Sequence, residues 1–342
     1  MDHPFRLLLN LLEDSWKIQA NHVQKLAGGN INETYDVDGR YILQWLNPIF
    51  GATVNDDIAA LVPILQAGGV PVPHLVRTDK GELWVSGERV GAKPGVWRLM
   101  NKMPGKSQMN VENTNQIQNL SIMIAKFHNA FHHTCYTFKH ERGFAHDFMK
   151  HWRMFEEAYE TKRMHAVWEE VRRLRERMVH LLHFISPERT LTAETRRIIH
   201  GDPKCANFLL DGDTVTGVID LDTMTWGYVA CDIGDAVRSW CNAHSENDPP
   251  EFRREDAREV IGVYRETIKN LTPEEHVKIS EAAPCIALEL GVRFARDALC
   301  EDYFGFDPQI GHARHSLMRA QNQVELAAQM ILTLRMTRLT TT

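Results

Sequence analysis

The 342-residue sequence predicts an α+β fold in two lobes, a small β-rich one over residues 1–103 and a larger helical one over residues 104–342. Three observations lead there. Before residue 103, short β-prone runs alternate with Gly- and Pro-bearing turns. From Asn115 onward, apolar residues recur at spacings of three and four. One hairpin-like block, residues 198–240, interrupts the helical half. A hydrophobic content of 43% with 25% charged residues is ordinary globular composition, and the length suffices for two cores.

Charge and cysteine usage narrow the partners. A formal net charge of −6 argues against a nucleic-acid surface and leaves a small-molecule substrate. The six cysteines, Cys135, Cys205, Cys231, Cys241, Cys285 and Cys300, show no C-x-x-C or zinc spacing, which predicts reduced, mostly buried thiols in a cytoplasmic protein. The first sixteen residues are apolar only over a few positions and carry no small-residue cleavage site, so no signal peptide is expected. No run reaches the length of a membrane span.

In chain order, Phe5, Leu8, Leu9 and Leu12 form the apolar stripe of a short helix over residues 5–20. Val23–Leu26 and the residues leading to the Asp38-Gly39 turn read as strands flanking a loop with Gly28, Gly29 and Asn30, and a third strand begins at Arg40. Glycines between strands let backbone N–H groups approach phosphates closely, although Gly-Gly-Asn is equally a plain turn. Strand candidates Leu83–Ser86 and Val96–Met100 precede Asn101-Lys102-Met103-Pro104-Gly105, punctuation that suits a hinge between lobes. Ile117, Leu120, Ile124, Phe127 and Phe131 mark one buried helical face. His128 and His132 lie four apart on it, but no acidic partner completes a metal motif, and they read as ordinary histidines. Residues 147–184 read as helices with solvated outer faces, and three more helices are expected at 251–268, 273–300 and 313–337.

The block from Ile198 to Trp240 carries the chemistry. Phe208-Leu209-Leu210 and Thr216–Ile219 flank Asp211-Gly212-Asp213, the turn chemistry of a hairpin. If the arms pair evenly, Asn207 faces Asp220. Residues directly opposed on one face have β-carbons roughly 5 Å apart, near enough for an amide oxygen and a carboxylate to share one hard cation, expected to be magnesium. Asp202, on the loop entering the hairpin, is then placed to accept a proton from a substrate hydroxyl. His200-x-Asp202, four residues and Asn207, then a hydrophobic strand ending in Asp220, matches the catalytic spacing of kinase-like phosphotransferases. A solvated Asp/Asn hairpin without metal is the bland alternative. Asp232 and Asp235 read as the N-terminus of a helix, with Asp232 accepting backbone N–H bonds and bracing the His200 loop.

Three segments, GGNINETYDVDGRYILQWLNPIF, HGDPKCANFLLDGDTVTGVIDLDT and ELGVRFARDALCEDYF, together resemble the aminoglycoside phosphotransferase/choline kinase superfamily, and within it the N-acetylhexosamine 1-kinases. The resemblance implies a bilobal protein-kinase-like fold and transfer of the γ-phosphate of ATP, with Mg2+, to the anomeric hydroxyl of an N-acetylhexosamine. It also implies that the hinge holds adenine, with Met100 and Met103 lining the pocket, and that Arg293 and Tyr303 contact the sugar. From the residues alone, Arg293 in a salt bridge with Glu289 or Asp297 is nearly as good a reading. The third-strand lysine that contacts phosphate in kinases is matched here by Gln44, as it is in the hexosamine kinases. No helical glutamate stands out as its partner; the helix after Val54 offers Asp56 and Asp57. Homoserine, choline and aminoglycoside kinases remain open, as does a catalytically silent nucleotide-binding protein.

Overall fold

The computed structural model of the chain describes residues 3–26, 32–90, 92–140, 146–192 and 195–340. Gly28, Gly29 and Asn30 lie outside the described residues. Helix α1 (His3–Trp16) covers an antiparallel five-stranded sheet built from β1 (Val23–Lys25), β2 (Glu33–Val37), β3 (Tyr41–Leu46), β4 (Val85–Ser86) and β5 (Val96–Asn101). The strand order is β1-β2-β3-β5-β4. Leu8, Leu11, Leu12 and Trp16 of α1 bury themselves with Val37, Leu43, Trp97 and Leu99 of the sheet. Of the stripe expected from the spacing, Leu8 and Leu12 are buried, Leu9 is partly buried and Phe5 is exposed; Leu11 and Trp16 complete the inner face, closing one face of the sheet.

Helix α2 (Val54–Ala67) is inserted between β3 and β4, and its apolar residues Val54, Ile58, Leu61 and Leu65 join the core of the larger lobe rather than the sheet's own core. The small lobe therefore leans on the large one through α2. The chain then crosses from β5 through residues 102–105 into β6 (Lys106–Ser107). Helices α3 (Thr114–Ala130), α4 (Phe148–Thr161), α5 (Trp168–Leu181) and the single turn α6 (Pro187–Thr190) follow. Asn113 caps α3 by accepting the N–H of Gln116, satisfying one of the donors a helix start leaves open.

The hairpin comes next: β7 (Arg197–Ile199), then β8 (Phe208–Asp211) and β9 (Thr214–Val218) about the two-residue loop Gly212-Asp213, and β10 (Thr225–Gly227), which pairs back onto β7. β6 adds to β8, so the segment entering the large lobe is stitched to the hairpin, and Thr216 Oγ1 donates to the Pro104 carbonyl at 2.8 Å. Helices α7 (Val229–Trp240), α8 (Arg254–Thr267), α9 (Pro273–Cys300) and α10 (His312–Thr340) complete the lobe. A capping box of Thr272 and Glu275, with proline at the first helical position, starts α9. α9 packs along both α7 and α10. Gly234 permits this approach: a β-carbon there would lie 2.8 Å from Ile286 and 2.9 Å from Ala282. Among the described residues all six cysteines are free, and no helix is long and apolar enough to cross a membrane.

Candidate active site

The loop between β7 and β8 is held from behind by α7. Asp232 accepts the backbone N–H of His200 at 2.8 Å and of Gly201 at 2.9 Å, and it also meets His128 at 3.0 Å. Its carboxylate thus braces the loop, as expected, but the N–H groups it receives belong to that loop and not to its own helix. Trp240 Nε1 donates to the Pro203 carbonyl, and Ser239 Oγ accepts the N–H of Cys205. The His200 ring lies between Phe127 and Phe208 and reaches the Ile219 carbonyl at 3.0 Å, a packing role. Gly201 has φ +81°, and a β-carbon would fall 2.5 Å from the Thr223 carbonyl oxygen, so only glycine lets the loop pass so close to the turn that follows Asp220. His128 and His132 are spent on Tyr264, Asp232, Arg197 and Asn270, in keeping with a structural role.

On this brace Asp202 projects forward. Its Oδ2 receives Lys204 Nζ at 2.7 Å and Asn207 Nδ2 at 3.2 Å, while Oδ1 has no hydrogen-bond partner among the described residues. Burial pushes the Asp202 carboxyl up, but attraction to Lys204, with help from His200 and Arg238, outweighs it and brings the pKa down to about 2. Lys204 is held above its ordinary value: burial works against the ammonium, and Asp202 and Asp220 more than compensate.

The pairing of Asn207 differs from the even register expected. The loop is tighter than that register needs and by itself would set Asn207 against Val218; a bulge between Leu209 and Leu210 moves the ladder back by one, so that Phe208 pairs with Val218 and the Ile219 N–H reaches the Asn207 carbonyl at 2.9 Å. The residue opposite Asn207 is therefore Ile219. Asp220 follows it in the left-handed conformation, φ 62° and ψ 50°, which a carboxylate side chain tolerates better than most at a modest cost. Asn207 donates both to the Asp202 carbonyl oxygen (2.7 Å) and to its carboxylate, which leaves the amide oxygen as the free end.

Whether these groups suit a divalent cation is decided by the charges around Asp220. Burial raises its pKa, and the neighbouring Asp222 and Asp202 carboxylates raise it further against the pull of Lys204. A crowded carboxylate and a free amide oxygen are hard-oxygen donors, of the kind that suits magnesium when phosphate oxygens and water complete the shell. Among the described residues no group of three or more His, Cys, Asp or Glu is arranged to hold a metal, so a cation at this point would have only Asn207, Asp220 and the oxygens of a bound phosphate to hold it.

The small lobe contributes Gln44, which stands in a cross-strand row with Thr34 and Arg98. Gln44 Nε2 donates to Thr34 Oγ1, and its Oε1 accepts Arg98 Nε at 2.9 Å and Nη2 at 2.5 Å. Asp57 of α2 turns away from this row, accepting the Tyr136 hydroxyl and the N–H groups of Lys139 and His140; Asn55 meets Arg98 instead. Met100 is half-buried on β5, and the Met103 β-carbon lies 3.2 Å from where Gly217 would carry one, beside the hairpin.

On α9, Arg293 is half-buried and, among the described residues, forms no ion pair; neither Glu289 nor Asp297 engages it. Its guanidinium lies 5.9 Å from the Tyr303 ring and 5.6 Å from that of Phe304. Glu289 faces His146 at 3.3 Å, and Asp297 is occupied by His312, Ser316 and the N–H of Tyr303. Asp235, paired with Arg238 at 2.7 Å, raises the proton affinity of both Lys204 and His146, so its charge links the Asp202 loop to the Glu289 group. Lys204, Arg98 and Asp222 did not stand out in the sequence. Only Lys204 had a local signal, standing two residues after Asp202.

Similarity to known proteins bears on this arrangement. A homoserine kinase of Methylobacillus flagellatus is 29% identical over 302 residues, 86% of this chain and 83% of its own. A homoserine kinase of Methylobacillus glycogenes is 32% identical over 126 residues, 36% of each chain. Among solved structures, an amicoumacin kinase in complex with AMP-PNP, Ca2+ and Ami superposes with a TM-score of 0.64 at 16% identity, over 96% of this chain and 94% of that one. A microcompartment-associated aminopropanol kinase gives 0.63 at 19%, over 96% of each chain. Residues 22–266, from the start of the sheet through α8, match the model of the phosphotransferase enzyme family; the chain belongs to that family, as an enzyme that phosphorylates a hydroxyl group of a small molecule.

Proposed function

We propose that this enzyme transfers the γ-phosphate of ATP, with magnesium, to the anomeric hydroxyl of an N-acetylhexosamine or a closely related sugar. Asp202 is the base: the acceptor O–H proton passes to its open Oδ1, the acceptor oxygen bonds to phosphorus, and ADP leaves. A carboxylate held near pKa 2 is a weak base, which suits a loose transition state where the proton moves late. Asn207 and Asp220 hold the cation, which when bound neutralises charge on the β- and γ-phosphates. Met100 and Met103 border adenine, and Gln44, through its bonds to Thr34 and Arg98, contributes on the phosphate side.

The observation that carries the acceptor reading is Arg293, a half-buried guanidinium with no carboxylate partner among the described residues, beside the 44% exposed Tyr303. A fork of donors next to an open aromatic face suits a polyhydroxylated ring. A second reading, L-homoserine, is favoured by the Methylobacillus relatives; there the same guanidinium would meet an α-carboxylate. Magnesium-dependent ADP release should be measured with N-acetylglucosamine, N-acetylgalactosamine, L-homoserine, choline and an aminoglycoside. Selective turnover of the two acetylated sugars supports the first reading, and turnover of homoserine alone replaces it.

A further inference from the structure

We propose that Arg98 and Asp222 form an interlobe latch that takes over the positioning task of the third-strand lysine this chain lacks. The inference rests on the reading of Asp220 as the metal-holding carboxylate of the nucleotide site. Arg98 Nη1 and Nη2 donate to the two oxygens of Asp222 at 2.6 and 2.7 Å, a bidentate pair across 124 residues between β5 and the turn following Asp220. Both side chains are fully buried. The remaining N–H groups of the guanidinium go to Gln44, twice, and to Asn55 of α2. All five donors are thereby used. The guanidinium has none left for phosphate, which makes Arg98 a positioning residue and not a phosphate ligand.

Asp222 is the convergence point. Besides Arg98 it accepts Asn32 Nδ2 at 3.1 Å, and Asn32 Oδ1 in turn receives the N–H of Asn47 just past β3. One carboxylate, two residues from Asp220, thus gathers the start of β2, the end of β3, β5 and α2. A lysine offers three donors on a flexible stem and cannot span this set, whereas the planar fork can. Gln44 stands where a lysine would compete for the same space. Its neutral amide relays Arg98 to Thr34 without adding a second positive charge to the row.

The test must separate positioning from bracing, because removing one partner of a buried pair strands the other's charge. Arg98→Met should lower the melting temperature for that reason alone. The double variant Arg98→Met/Asp222→Asn removes both charges and should recover most of that loss. Its MgATP dissociation constant, measured by calorimetry without acceptor, should nevertheless be weaker by about tenfold or more, the scale on which losing an outer-shell partner weakens a metal site. The acceptor KM should stay near native. Arg98→Lys keeps the charge but drops at least one partner, and it should show the same ATP-selective defect if the double variant does not recover its stability. A folded double variant or Arg98→Lys protein that binds MgATP within about twofold of native overturns the latch. Failure of the native protein itself to bind MgATP would instead overturn the underlying reading of the nucleotide site.

Discussion

Lys204 Nζ lies 2.7 Å from Asp202 Oδ2, so the proposed base and its counter-charge are two residues apart on one braced loop. Burial alone would raise the Asp202 carboxyl, and the lysine is the largest influence opposing it. Because the folded-state pKa is depressed, Asp202 remains ionised through the neutral and mildly acid range, and protonation comes only near pH 2. Lys204→Met should let the effect of burial show, moving the acid limb of the kcat/KM profile to higher pH. An unshifted limb would mean that His200 and Arg238 suffice to hold the charge.

The base and the cation ligands should separate kinetically. General-base assistance is typically worth about 10² to 10⁴ in rate, so Asp202→Asn should cut kcat by a factor on that order while ATP still binds. Asp220→Ala should abolish turnover, and Asn207→Ala, which removes a neutral ligand, should be milder and partly rescued by excess magnesium. Asp220 adds a stability readout. Its pKa is raised by burial and by two neighbouring carboxylates, so the folded state binds its proton more tightly and stability falls as pH rises above the unfolded carboxylate range. Asp220→Asn should therefore raise the melting temperature at neutral pH in magnesium-free buffer while ending activity. A variant that lost stability there would remove the argument that the carboxylate is crowded.

Much of this site was legible because its signals are local. The turn residues Gly212-Asp213 set the hairpin, the three-and-four spacing set α3, and Pro273 marked the start of α9. The register of the hairpin was not legible: the tight two-residue loop, partly offset by a bulge at Leu209/Leu210 that has no residue signature, sets Ile219 and not Asp220 opposite Asn207. Arg98 was hidden differently. In Val96-Trp97-Arg98-Leu99-Met100 it reads as a polar residue on a β-run, and nothing nearby announces a carboxylate 124 residues later. The absence of a strand-three lysine and a helical glutamate had kept a silent binding protein open; the cation and carboxylate are present, but on β5 and beside Asp220.

Arg293→Ala tests the acceptor end. The loss of a charged donor costs roughly 1.5 to 3 kcal/mol, so the acceptor KM should rise by about 10- to 150-fold if the contact exists in the ground state. The KM for ATP should stay close to native. Varying both substrates in steady state distinguishes this from a general defect, and an effect confined to ATP would move the acceptor away from Arg293.

His146 offers a pH readout of the same region. Burial depresses its pKa, but the Glu289 carboxylate 3.3 Å away, with Asp235 behind it, outweighs burial and raises the folded-state value above the ordinary 6.5, while Arg293 pulls it back. A raised histidine contributes stability that is fully present below the unfolded pKa and disappears as pH climbs through the folded one. Native protein should therefore lose melting temperature relative to His146→Gln as pH rises from 6.5 upward, with no divergence below that point. Because Arg293 opposes the protonated imidazole, Arg293→Ala should shift the His146 titration, followed by the ring proton resonances, to higher pH. An acceptor that engages Arg293 with a carboxylate should do the same by offsetting its charge, whereas a neutral sugar should leave the titration nearer its unliganded position. Titrating His146 with saturating N-acetylglucosamine and then with L-homoserine thus compares the two acceptor readings without requiring turnover.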